Sequence, residues 1–253
     1  VIKENKNSID LIGFHGQTIY HKVSDQISKQ LGDGNLLSQL TKKNVIFNFR
    51  ENDIKNKGEG APLTPIFHKL LKEKFKIDSA AFVNIGGIIN ETLFTNNNMS
   101  ATDLGPGMCL IDQWIRMNSK KKFDTDGEIA KSGKINKIIL KQALDTYYEN
   151  FQSSQQKSSI SYDVKDFDLS FVRGLSLIDG AATLVEYTAN IISDRYLRKN
   201  KKIILCGGGR KNKYLIERIK LANSDLKFID EYGIDGDFVE SQAFAFIAIR
   251  SLL

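Results

Sequence analysis

The run Ala80-Ala81-Phe82-Val83-Asn84-Ile85-Gly86-Gly87-Ile88-Ile89-Asn90-Glu91-Thr92-Leu93-Phe94 decides the class of this chain. Ala80 to Asn84 is a short apolar stretch of the kind buried on both faces, Gly86-Gly87 is a tight turn, and Ile88 to Phe94 is the returning strand. Downstream, Asn96-Asn97-Asn98 reads as the next hairpin tip and a third short strand ends near Asp103. The loop Gly105-Pro106-Gly107 then feeds a helix from about Cys109 to Met117, followed by a mainly helical stretch with a polar insertion from about Gln152 to Lys165. Leu175 to Leu197 has the spacing of a long helix leading to the strand Lys202 to Cys206 and the turn Gly207-Gly208-Gly209. Tyr214 to Leu221 reads as a helix, Leu226 to Ile229 as a strand, and Val239 to Leu253 as a closing amphipathic helix.

Upstream of the opening run, Ile9 to Phe14 is a buried strand ending in His15-Gly16-Gln17-Thr18, and Val45 to Phe49 is another. A long polar connection from Arg50 to Pro62 precedes a helix from about Leu63 toward Phe75, and the pattern resets at Ile77-Asp78. Strands alternate with helices throughout, which is the α/β class. The boundary lies near residue 78. It gives a first domain of residues 1–78, with 238–253 returning to it, and a second of 79–237.

Composition narrows the function. Of the 253 residues, 41% are hydrophobic and 26% charged, as in ordinary folded proteins, so neither disorder nor a fibrous class is favoured. The net charge of +6 comes from scattered lysines accompanied by asparagine and acidic residues, which reads as a solvated basic surface rather than a nucleic-acid footprint. Two cysteines, Cys109 and Cys206, sit in apolar settings and read as reduced thiols. No apolar run approaches the roughly 20 residues that span a bilayer, and the expected location is the cytoplasm. Val1 is not an initiator methionine, and further residues are expected upstream.

Four loops at strand ends carry chemistry, since ligands of α/β sheets bind there. Asn84-Ile85-Gly86-Gly87-Ile88-Ile89-Asn90 is either a plain hairpin or a turn whose backbone N–H groups approach an anion. Cys206-Gly207-Gly208-Gly209-Arg210-Lys211-Asn212 is a strand-to-helix turn able to admit a base or ribose against the backbone. It lacks the Gly-Lys-Ser/Thr ending of a P-loop and the spaced glycines of a dinucleotide fingerprint. Asp103, before Gly105-Pro106-Gly107, either caps a turn or holds Mg²⁺, directly or through water. Asp53, between Asn52 and the Gly58-Glu59-Gly60-Ala61-Pro62-Leu63 stretch, is either a solvated carboxylate or a proton acceptor for an attacking hydroxyl or water. His15 lies in a site loop, whereas His68, on a helix face, reads as structural. The three histidines show no metal-ligand spacing, and no Gly-x-Ser-x-Gly elbow is present.

In their order these motifs resemble the anhydro-N-acetylmuramic acid kinase family. The resemblance rests on Gly13-Phe14-His15-Gly16-Gln17-Thr18, Gly32-Asp33-Gly34, Asp53 with Gly58-Glu59-Gly60-Ala61-Pro62-Leu63, Asn84-Ile85-Gly86-Gly87 and Gly105-Pro106-Gly107. Asp124-Thr125-Asp126-Gly127, Lys157-Ser158-Ser159, Cys206-Gly207-Gly208-Gly209 and Glu240-Ser241-Gln242-Ala243-Phe244-Ala245 extend it nearly end to end. It implies two ribonuclease-H-like domains of the sugar-kinase and actin type, closing on ATP and a sugar. It further implies opening of a 1,6-anhydro ring by water with phosphorylation of O6, in peptidoglycan recycling.

By the same resemblance Asp53 is the catalytic base. Gly86, Gly87 and Asn90 face the phosphates, with Asp103, Gly105 and Gly107 beside them. Gly207, Gly208, Gly209 and Asn212 face the adenosine, and His15, Gln17, Thr18, Asp33 and Glu240 face the sugar. The implied cofactors are ATP and Mg²⁺. The implied partners are the anhydrosugar and ATP, with no nucleic acid and no membrane, and a homodimer is compatible with the family. The sequence departs from the family pattern in lacking an opening Gly-Thr-Ser-x-Asp-Gly hairpin, so the first domain is expected to be truncated. Glu59, Leu104 and Met108 replace the usual Gln, Thr and Asn. A kinase for another anhydrosugar such as levoglucosan shares the motif order, and an inactive binding module derived from such a kinase is the reading from a different class.

Overall fold

The computed structural model describes residues 9–77, 79–95, 98–154, 162–196, 202–223 and 225–253, with side chains of 152–154 set aside. Asp78, Asn96-Asn97, Lys157-Ser158-Ser159 and Leu197, all singled out above, lie outside the described residues. The chain divides into two compact units, Val1–Lys74 with Phe238–Leu253, and Phe75–Asp237. In chain order the first unit holds β1 (Leu11–Gly13), β2 (Gln17–Lys22), β3 (Ile27–Leu31), α1 (Gly34–Thr41), β4 (Asn44–Ile46), α2 (Phe49–Lys55) and α3 (Pro65–Lys74). The second holds β5 (Ala80–Ile85), β6 (Ile88–Thr95), β7 (Asn98–Pro106), α4 (Cys109–Asn118), α5 (Glu128–Ser132), α6 (Lys137–Ser154) and α7 (Leu177–Tyr196). It continues with β8 (Lys202–Cys206), α8 (Lys213–Ala222) and β9 (Leu226–Phe228), after which α9 (Val239–Arg250) belongs to the first unit.

In the second unit one five-stranded sheet runs in the order β7-β6-β5-β8-β9. The meander β5-β6-β7 is antiparallel, and β8 and β9 add in parallel, with Asn84 opposite Cys206. Central β5 is buried along nearly its whole length because it has a neighbour on each edge and apolar side chains on both faces. Ala81, Val83, Ile85, Ile203 and Leu205 enter one core with Trp114, Ile115, Leu184 and Ile192 from the helices. Full burial of each such aliphatic side chain contributes about 1.5–3 kcal/mol. Helix α7 is apolar nearly all round, as expected of a helix inside a core. Its Gly180 lets the Trp114 ring lie where a β-carbon would stand, and the indole N–H donates to the Leu177 carbonyl at 2.9 Å.

In the first unit β1 and β4 pair in parallel, β2 and β3 form a hairpin, and Phe49, Phe244 and Ala248 make a small core with Leu11, Ile46 and Leu63 against it. Two expectations need correction here. The strand expected over Val45 to Phe49 ends at Ile46, and Phe49 opens helix α2, so Asp53 stands on a helix rather than in the expected open connection. Only Phe49 and Ile54 of that helix are buried, which leaves no periodic stripe to read, while a Glu51–Lys55 pair at 2.8 Å supports it from outside. The third strand of the second unit does not stop near Asp103 but continues to Pro106, through a register shift between Ile89 and Asn90.

Candidate functional site

Two glycine turns lie side by side at one end of the five-stranded sheet. Because β5 and β8 are adjacent and parallel, Gly86-Gly87 and Gly207-Gly208-Gly209 emerge from neighbouring strand ends. A β-carbon on Gly207, which has φ +83°, would overlap the Asn84 amide, and one on Gly209 would overlap the Ile85 side chain. Gly208 faces open space. The third turn closes on the first: the N–H groups of Gly107 and Cys109 donate to the Gly87 carbonyl at 2.9 and 3.2 Å, and that of Met108 to Gly86 at 2.8 Å. A side chain at Gly107 would run into the Gly86 carbonyl. At Gly105, in β7, a β-carbon would meet Tyr147 and Ile191.

A chain of polar side chains crosses the sheet beneath these turns. Asn84 Nδ2 donates to Asn90 Oδ1 at 3.2 Å, and Asn90 Nδ2 donates to Asp103 Oδ1 at 2.5 Å. The Tyr162 N–H donates to the other Asp103 oxygen at 2.8 Å. Burial raises the Asp103 carboxyl above the ordinary carboxylate range, while the Tyr162 N–H and the Asn90 amide pull it back. Both Asp103 oxygens are engaged, and among the described residues no group of three or more His, Cys, Asp or Glu could hold a metal ion. Each Asp103 oxygen keeps a second lone pair, so the carboxylate could still hold Mg²⁺ directly or through water beside nucleotide phosphates.

Asn212 is the sharpest signal at this end of the unit. Its side-chain oxygen caps α8 by accepting from the Leu215 N–H at 2.9 Å, while its Nδ2 is buried without a partner among the described residues. A buried orphan donor costs about 1–3 kcal/mol unless something fills its valence.

In the first unit Asp53 Oδ2 accepts from the Gly60 N–H at 2.8 Å, and its Oδ1 makes no hydrogen bond among the described residues. The carboxylate lies so close to Gly58 that a side chain there would overlap it. Arg50, which the sequence reading passed over, ties this loop to His15. Its Nη1 donates to the Gly60 carbonyl at 2.9 Å and its Nε to His15 Nε2 at 2.7 Å. His15 Nδ1 then carries the hydrogen donated to the Gly16 carbonyl at 2.7 Å, and the ring stacks on Phe244 at 4.1 Å. Desolvation, then the Arg50 charge, lowers the His15 pKa, so the ring is neutral near pH 7. Both ring nitrogens are occupied, and a sugar hydroxyl would have to displace one partner.

Glu240, in the first turn of α9, acts on His15 and Arg50 through its charge. Thr18 Oγ1 accepts from Gln30 at 3.3 Å, and Gln17 is exposed beside it on β2. Asp33 caps α1, accepting from the Asn35 and Leu36 N–H groups at 2.8 and 3.0 Å through one oxygen. His15, Arg50, Asp53 and Glu240 thus form one cluster through α2, its following loop and α9, while Gln17, Thr18 and Asp33 belong to the hairpin and α1.

Residues 3–253 match the family model described as anhydro-N-acetylmuramic acid kinase. The chain is 52% identical over 267 residues to the anhydro-N-acetylmuramic acid kinase of Pelagibacter ubique, a match covering 100% of this chain and 70% of that protein. To the anhydro-N-acetylmuramic acid kinase of Rhizobium johnstonii it is 37% identical over 256 residues, covering 97% of this chain and 68% of that one. Among solved structures, the activator of the 2-hydroxyisocaproyl-CoA dehydratase from Clostridium difficile with bound ADPNP aligns with a TM-score of 0.43 and 13% identity, over 69% of this chain and 61% of that one.

Proposed function

The chain belongs to the anhydro-N-acetylmuramic acid kinase family, and from that premise we propose that it uses ATP to open and phosphorylate 1,6-anhydro-N-acetylmuramic acid, in cytoplasmic recycling of cell-wall fragments. The observation that carries the reading is the convergence of the Gly86-Gly87 and Gly207–Gly209 turns at one sheet end, near Asn212, whose buried Nδ2 has no partner among the described residues. Glycine-lined backbone with a buried free donor suits a nucleotide, whose base and phosphates need close backbone approach.

In this reading residues of the first unit serve the sugar and those of the second serve ATP. The free Oδ1 of Asp53 takes a proton from water as its oxygen bonds to C1. The C1–O6 bond breaks, O6 attacks the γ-phosphorus, and ADP leaves, giving N-acetylmuramic acid 6-phosphate and ADP. The bond from the Gly60 N–H holds the other oxygen and fixes the carboxylate, so the base is pre-oriented. Arg50 braces the Gly60 carbonyl and His15 together, which keeps that loop in register with the sugar-side residues. Gln17, Thr18, Asp33 and Glu240 are assigned to the sugar, and Gly86, Gly87, Asn90, Gly107 and Asn212 to the nucleotide. Magnesium bound with ATP would neutralise charge on the phosphates, and Asp103 is the carboxylate that could hold it, directly or through water.

The test is ADP release from ATP in the presence of 1,6-anhydro-N-acetylmuramic acid or levoglucosan, with phosphorus NMR of the product. Sugar-dependent ADP release with phosphate on O6 of the muramic acid is expected. Equal release with and without sugar refutes the reading, and turnover of levoglucosan alone moves it to the other substrate.

A further inference from the structure

The turn after β8 is held by one arginine that the proposed reaction does not use. The Arg210 side chain is only 7% exposed. Its Nε and Nη2 grip the Asp230 carboxylate at 2.8 and 3.0 Å, and its Nη1 donates to the Gly207 carbonyl at 2.9 Å and to Asp237 Oδ1 at 2.6 Å. Asp235 lies at 3.7 Å. The Gly207 N–H is held as well, reaching the Gly236 carbonyl at 3.4 Å, while the Gly236 N–H donates to Asp230 at 3.2 Å. A side chain at Gly236 would run into the guanidinium. Lys211 adds an ion pair to Asp237.

We propose that Arg210 is a positioning residue for nucleotide binding: it locks the Gly207–Gly209 turn into its receiving shape and clamps it to Asp237, the last residue before the chain leaves the second unit. This rests on the reading that the turn receives the adenosine of ATP. Gly207 has φ +83°, a conformation glycine reaches but is not obliged to keep. Its N–H is held by the Gly236 carbonyl, and its own carbonyl accepts both the Arg210 main-chain N–H at 3.3 Å and Arg210 Nη1 at 2.9 Å, the shorter and charge-assisted bond being the one the side chain adds.

A lysine cannot replace the clamp in full. Only a planar fork of five donors can grip a carboxylate with two bonds and still reach a carbonyl and a second carboxylate. Without the arginine, Asp230 and Asp235 would lose the guanidinium that pairs with them, and Asp237 would keep Lys211. The turn would be freed beside a concentration of negative charge, an unfavourable neighbour for a triphosphate.

The experiment compares the full protein with its Arg210→Ala, Arg210→Lys and Asp237→Asn variants by backbone hydrogen exchange and by steady-state kinetics. In Arg210→Ala the amides of residues 207–212 should exchange about tenfold faster or more, with β8 unchanged. The KM for ATP should rise about tenfold while kcat at saturating ATP and the KM for the sugar stay within about threefold. Arg210→Lys should recover part of the loss, and Asp237→Asn should shift both readouts the same way by less. Unchanged exchange at 207–212 overturns the proposal, as does an equal rise in both KM values or full recovery by lysine. If Arg210→Ala does not fold, Asp237→Asn decides by the same criteria. A non-hydrolysable ATP analogue that fails to protect 207–212 in the unaltered protein refutes the adenosine assignment instead, and the nucleotide part of this proposal with it. The two failures are therefore distinguishable.

Discussion

Replacing Asp53 by Asn would separate the proposed chemistry from architecture, because only one of its carboxylate oxygens is engaged by the protein. Oδ2 accepts the Gly60 N–H at 2.8 Å, and Oδ1 makes no hydrogen bond among the described residues. Asparagine keeps a carbonyl oxygen able to accept from Gly60 and loses the capacity to take a proton. A hydrogen bond to a charged acceptor contributes about 1.5–3 kcal/mol and a neutral one about 0.5–1.5, so the stability cost of Asp53→Asn should be about 1 kcal/mol. Loss of the general base should lower kcat by about 10²–10⁴. Asp53→Ala removes both functions. It strands the Gly60 N–H at an additional cost of about 1–3 kcal/mol and should be as inactive as the asparagine variant.

Sugar-dependent ADP release measures the fall in kcat, and urea unfolding of the two variants side by side measures the stability cost. Nucleotide binding, assigned to the other unit, should survive in both. An Asp53→Asn variant retaining a tenth of normal turnover would remove Asp53 from its role. Equal destabilisation by Asn and Ala would show that the bond to Gly60 is not what holds the loop.

Three further outcomes follow from other parts of the chain. Burial lowers the pKa of His68 from 6.5 to about 4, so the unfolded chain binds the extra proton between those values. Stability should therefore be full above pH 6.5 and fall by about 3 kcal/mol as the pH drops to 4, a slope that His68→Gln should flatten in unfolding curves taken at several pH values. Gly208→Ala, placed in open space, should leave the melting temperature unchanged and raise the KM for ATP, whereas Gly209→Ala should lower the melting temperature because its methyl overlaps Ile85. Glu91 is buried and accepts from Arg195, at 2.6 Å through Nη2, and from the Tyr196 hydroxyl. Glu91→Ala strands both donors and should cost about 3–5 kcal/mol in urea unfolding, with the activity of the folded fraction retained.

What was legible in the sequence is what burial makes periodic. β5, β6 and β8 are apolar runs bounded by glycine, and they stand within a residue of where they were read. The hairpin β2–β3 went unread because Ile19, Tyr20, Ile27 and Leu31 are exposed, and a register shift between Thr18 and Tyr20 breaks the alternation. Helix α2 went unread for want of a stripe, and Asp53 upon it was singled out by the family resemblance, its own residue pattern leaving a solvated carboxylate equally open. Arg50 had no marker in the sequence. Its partners His15 and Gly60 are 35 and 10 residues away, and a hydrogen bond between distant polar groups leaves no period in the chain. The same holds for Arg210, whose value lies in Asp230 and Asp237, some 20 and 27 residues on. Glycine positions mark where a ligand or a carboxylate can come close, while the arginines that hold those glycines in shape are found only once the fold has brought their partners together.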